Sequence, residues 1–171
     1  MKSTDKIIRL VTAALMAAMT CVVTILLMFK IPNTSNGYIH PGDAFVLLSG
    51  IILGPIYGAF AAGIGSLFAD LYLAAYLYAP ATLVIKALAA FVGAVVYRKF
   101  RSHSVILAGI FSSLLVTFGY FIYDLILSGT LGAALVSVPF NLLQNAMCIV
   151  IASILLPFLK KIPQVKTMMD K

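Results

Sequence analysis

Apolar runs of about twenty residues, each long enough to cross a hydrocarbon core roughly 30 Å thick, recur along the whole chain. The first extends from Ile7 to Phe29, and others follow up to Leu159. This pattern constrains the fold more than any local motif. Of the 171 residues, 63% are hydrophobic and only 10% charged, with a mean hydropathy of +1.10. An average soluble domain carries about 25% charged residues, so a water-soluble fold would lack polar surface to cover itself. The chain is predicted to be an all-α integral membrane protein. The basic start MKSTDKIIRL resembles the n-region of a signal peptide, but the apolar run behind it exceeds the usual length of about 7–15 residues. It is read as the first span.

The net charge of +7 does not point to nucleic acid, because its distribution follows the membrane segments. Lys2, Lys6 and Arg9 precede the first span, Arg98, Lys99 and Arg101 share one short loop, and Lys160, Lys161, Lys166 and Lys171 follow the last span. Basic clusters beside spans mark the cytoplasmic side. Cys21 and Cys148 fall inside apolar runs and are read as packing residues rather than a disulfide or metal pair.

Runs and punctuation predict a compact six-transmembrane-helix bundle with helices near 7–29, 43–53, 57–71, 80–97, 105–127 and 139–159. The whole of 1–171 reads as a single integral membrane domain, since no linker divides it. An even number of crossings puts both termini in the cytoplasm and every basic loop on one side. The second and third helices are short, so they form either a tilted hairpin or a buried re-entrant pair. Pro80 and Pro139 suit first-turn positions, where a missing N–H costs nothing.

Polar groups concentrate at the predicted outer ends. All five acids are Asp, and Asp43, Asp70 and Asp124 fall at outer helix ends. Asp43 is read as the N-cap of the second helix. Lys86 lies about two turns into the fourth span, where a charge costs roughly 2.5–3.5 kcal/mol; Asp70 or Asp124 is expected as its counter-ion. Asn141 and Asn145 share a helix face with Gln144 beside them, and Tyr120 and Tyr123 lie near the same edge. The tyrosines fit an interfacial belt or a pocket wall, and His40 fits a loop hydrogen bond or a ligand contact. Together they predict an outward polar cavity for a small ring-bearing solute. Small residues at four-residue spacing (Ala14 with Ala18, Ala13 with Ala17, and Gly58, Ala62, Ser66) predict close helix packing. No P-loop, HExxH, CxxC or Gly-x-Ser-x-Gly motif occurs, and nothing sets a nucleophile beside a base.

The segment YIHPGDAFVLLSGIILGPIYGAFAAGIGSLFAD, followed by YAPATLVIKALAAFVG, resembles the substrate-binding S components of energy-coupling factor (ECF) vitamin transporters. Within them it is most similar to the hydroxymethylpyrimidine or pyridoxine group, with riboflavin carriers as relatives. The resemblance implies a subunit without its own ATPase or cofactor, in a bacterial cell membrane. Such a subunit captures a vitamin from outside and docks on a transmembrane coupling subunit, the T component, which carries two cytoplasmic ATPases that use ATP. By position it implies ligand contacts from Tyr38, His40, Lys86, Tyr120, Asp124, Asn141 and Asn145, with Asp70 at the same depth. The family's AxxxA docking motif matches Ala14 and Ala18 in one register, Ala13 and Ala17 in the other. The absence of Trp removes the stacking indole of thiamine-type members; riboflavin and pantothenate rank below pyridoxine and hydroxymethylpyrimidine. A solitary proton-coupled carrier, acting as an oligomer through Asp70, Lys86 or Asp124, is the alternative.

Overall fold

A computed structural model of the chain describes residues 3–30, 38–100 and 104–169. Lys2, Arg101, Asp170, Lys171 and part of the first polar loop (31–37) lie outside them. The elements are α1 (Ser3–Leu26), β1 (Phe29–Lys30), β2 (Tyr38–Ile39), α2 (Asp43–Leu53), α3 (Pro55–Tyr72), α4 (Ala79–Lys99), α5 (Val105–Ser128), α6 (Leu131–Leu159) and α7 (Pro163–Met169). The two short strands pair antiparallel, Phe29 opposite Ile39 and Lys30 opposite Tyr38.

Burial separates α2 from the rest. Its sequence, DAFVLLSGIIL, is apolar all round, the mark of a helix surrounded by protein, and every residue but Phe45 is buried. The other long helices bury one stripe and turn Leu15, Phe60, Phe118 and Leu143 outward. Four of them, α1, α4, α5 and α6, are long and apolar enough to cross a membrane. Side by side, α1, α3, α4, α5 and α6 form an arc around α2. The two ends of the arc, α1 and α6, do not pack closely on each other; residues 38–42 fill the space between them.

Eleven residues of helix rise only about 16 Å. The chain reaches α2 by dipping into the bundle: a methyl group placed on Gly42 would meet the Thr24 hydroxyl and lie 3.1 Å from the Thr20 carbonyl. From Thr20, α1 climbs about 9 Å further to Leu26. Non-helical backbone at such depth needs partners. His40 has them, since its N–H donates to Gln144 Oε1 at 2.9 Å and its carbonyl accepts from Cys148 Sγ at 3.6 Å.

At its far end α2 turns through Gly54 (φ 85°), a left-handed conformation that suits only glycine, and Pro55 opens α3 at a position where no N–H is needed. The small residues then act as packing points. The backbone of Gly50 lies on the Ala90 carbonyl, Gly58 lies on Gly50, and Gly65 lies on Ala17.

Three expectations are corrected. The stretch 128–138 is not an outer loop: α6 starts at Leu131, and Pro139 sits inside it. Gly129 (φ 66°) ends α5, and the apolar LGAALVSV then continues helically because one lost hydrogen bond at proline does not outweigh the turns around it. The first helix stops at Leu26, not Phe29, which pairs in the hairpin. Finally, KKIPQVK is not merely a basic tail. Pro163–Met169 forms α7, which tucks Val165 and Met168 into the core beneath Leu53.

Candidate functional site

The end of the bundle that carries the hairpin holds the buried polar groups. Lys86, on α4, is 0% exposed, and its ammonium donates to Asp43 Oδ2 at 2.6 Å. The Tyr120 ring lies 5.0 Å from the same ammonium, a cation–π contact that offsets part of its desolvation. Asp43 is therefore the counter-ion, in place of Asp70 or Asp124. Nor does it cap α2: Gly42 holds the N-cap position and no side chain bonds there. A carboxylate beside a helix start has a cap within reach, but an ammonium buried in hydrocarbon leaves far more energy at stake.

Gln144 connects this pair to the loop. Its Nε2 donates to Asp43 Oδ2 at 2.7 Å while its Oε1 accepts from the His40 N–H. The His40 ring shares a 3.0 Å hydrogen bond with the Thr24 hydroxyl. Residue by residue, α1, the loop, α2, α4 and α6 are tied through one chain of polar contacts. Gln144 was visible in the sequence beside the two asparagines, three residues from Asn141 on the same face, yet only the structure puts it at the centre.

Asp70, at the end of α3, accepts from the Tyr38 hydroxyl. Thr82 and Tyr120 share a 2.9 Å hydrogen bond. Asp124, on α5, accepts from Tyr78 at 2.7 Å and from Ser137 at 2.5 Å. Thr82 and Ser137 were absent from the sequence-derived set; their signal was only proximity to an outer helix end. Asn145 bridges to α5, donating to the Ser113 carbonyl at 3.1 Å and the Thr117 hydroxyl at 2.9 Å. Asn141 makes no hydrogen bond to the described residues.

Two buried carboxylate oxygens, Asp43 Oδ1 and Asp70 Oδ2, have no hydrogen-bond partner among the described residues, nor does the Ser66 hydroxyl. A narrow cavity among α2, α5 and α6, reached by Asp43, Ser112 and Asn145, has room for about one water molecule. Lys86 itself faces protein: its ammonium is enclosed between Asp43 and the Tyr120 ring.

On α1, Ala14 and Ala18 are exposed, whereas Ala13 and Ala17 are half-buried against the core. The Ala13 and Ala17 register is taken by packing inside the bundle, since Gly65 rests on Ala17.

A relative from Pyrococcus woesei, described as an uncharacterized protein in the gap 3'region, is 43% identical over 49 residues. Those residues are 29% of this chain and 32% of the relative, so the chain spans about a third of that relative's length. The fold is similar to the solved structure reported as "Structure and mechanism of the S component of a bacterial ECF transporter". That likeness has a TM-score of 0.71 at 20% identity and covers 90% of this chain and 95% of the other. The family described as "ECF-type riboflavin transporter, S component" matches residues 4–161. A match that runs from the first turn of α1 past the end of α6 leaves little of the chain outside it: the protein belongs to this family of ECF-type transporter S components.

Proposed function

We propose that the chain captures a small B vitamin or precursor, the ring-bearing pyridoxine or hydroxymethylpyrimidine before riboflavin or the acyclic pantothenate, on the hairpin side of the membrane. The observation that carries this reading is the pair of buried carboxylate oxygens without donors, Asp43 Oδ1 and Asp70 Oδ2. Buried acceptors of this kind cost about 1–3 kcal/mol each, and hydroxyl or amino groups on a polar ring satisfy them. Asn141, one turn above Gln144 and without a hydrogen bond to the described residues, supplies a further donor and acceptor. Tyr38 and His40 close the site from the loop, and Tyr120 and Asp124 wall it. Lys86 acts through Asp43, holding that carboxylate charged and aimed.

The basic residues Lys6, Arg9, Arg98, Lys99, Lys160, Lys161 and Lys166 gather at the opposite end. By the positive-inside rule that end is cytoplasmic, which gives an outward-facing site, both termini inside and six crossings counting the α2–α3 hairpin. Mass spectrometry of small molecules that co-purify with the protein names the ligand. The purified protein is expected to bind it without ATP, and Asn141→Ala is expected to weaken binding about 10- to 100-fold with an unchanged melting profile. Unaltered affinity in that variant would remove Asn141 from the site, and the absence of any vitamin ligand would overturn the reading.

Docking on the T component, with its two ATPases, follows on the exposed alanine register. Ala14→Leu or Ala18→Leu is expected to abolish co-purification with the coupling subunit and leave vitamin binding intact, because the flat face no longer admits a close helix. Ala17→Leu instead meets α3 and lowers the yield of folded protein. Normal assembly by both Ala14→Leu and Ala18→Leu would place docking on another face.

A further inference from the structure

We infer that the site selects by charge: it accepts neutral or protonated heteroaromatic rings bearing O–H or N–H donors and excludes ligands that carry a carboxylate or phosphate. This rests on the vitamin-binding reading above and narrows its ligand class. The hairpin end buries three carboxylates, Asp43, Asp70 and Asp124, against one ammonium, Lys86. That ammonium is already engaged by Asp43, in the one ion pair among the described residues. Asp70 and Asp124 are held by hydroxyl groups instead, Tyr38 on the first and Tyr78 with Ser137 on the second. Lys30, the other described cation at this end, is exposed on β1, and the His40 ring bonds Thr24 through Nδ1.

An incoming anion therefore finds no uncommitted buried cation, and it meets carboxylates whose spare oxygens are acceptors. A ring nitrogen that carries a proton, an amino group or a hydroxymethyl group finds the reverse. Asp70 is the main discriminator, because among the described residues its Oδ2 is buried without a hydrogen-bond partner and no Lys or Arg forms an ion pair with it.

The test uses matched pairs that differ by one anionic group: pyridoxine with pyridoxine 5'-phosphate, hydroxymethylpyrimidine with its phosphate ester, riboflavin with riboflavin 5'-phosphate, and pantothenol with pantothenate. Calorimetric titration of the full-length protein in detergent is expected to show the neutral member of any pair that binds at least about 100-fold tighter, the scale of a like-charge contact in a desolvated site. Asp70→Asn, nearly identical in shape, is expected to shrink that ratio about tenfold or more. Asp124→Asn serves as a second variant should the first fail to fold. Equal binding within a pair, or a ratio unchanged in the folded variants, overturns the charge inference and leaves vitamin capture standing. Binding by no member of any pair overturns the vitamin reading and this inference with it.

Discussion

Lys86→Met is expected to cost about 3–5 kcal/mol of unfolding free energy, because it strands Asp43 as a buried charge with no cation. Denaturant titration in detergent micelles measures it. The side chain is wholly enclosed, so its loss acts first on the fold and only then on the ligand, a different order from the one its sequence position suggests. Adding Asp43→Asn to that variant is expected to recover most of the loss. An amide still accepts the Gln144 hydrogen bond, and a neutral pair needs no counter-ion. Replacing both members of a buried ion pair is commonly near neutral, whereas removing one is not. A single Lys86→Met variant as stable as the parent would mean that Asp43 carries no charge, and the ion pair would have to be abandoned.

Gly50→Leu has the second large effect. A Cβ there would fall on the Ala90 carbonyl oxygen and lie 3.0 Å from its carbon, while on the other side Gly58 already leans on the Gly50 backbone. Overpacking against movable side chains costs about 1–3 kcal/mol. Here the obstacles on both sides are main chain, so α2 would have to leave its place between α3 and α4. Size-exclusion chromatography of the detergent extract is expected to show no monodisperse peak for this variant. Gly132→Leu, with nothing within 4 Å of the added carbon, is the control and runs as the parent does. A normal profile for Gly50→Leu would show that the helices are not in backbone contact.

Much of this arrangement is written locally. Helix α2 lies over 43–53, where the apolar run and the Gly-Pro turn put it, and Gly58 of GPIYG and Gly65 of GIGS are points of close backbone approach. Such features depend on neighbours in the chain. The Asp43–Lys86 pair does not, because 43 residues separate its members and three aspartates reached a similar depth. Proximity to a helix start favoured a cap, and only the packed helices show that α2 faces α4 at that level. The start of α6 was hidden for a related reason. Ser, Gly, Thr and Pro around 128–139 carry the punctuation of a loop, yet an apolar helix tolerates one internal proline when tertiary contacts hold the turns on either side. Gln144 was hidden by its neighbours: two asparagines drew the reading, while the residue between their faces does the connecting.

The placement of residues 38–42 has a mechanical consequence. Five helices make an arc, and everywhere along it neighbours are held by interdigitated faces, so any separation there must undo a whole helix–helix interface. Between α1 and α6 the closure is different in kind: His40 is the clasp, fastened to Thr24 on one side and to Gln144 on the other. Among the described residues, the circumference of the bundle can therefore change at this one place by releasing the three hydrogen bonds of His40, to Thr24, Gln144 and Cys148, with every helix pair left intact.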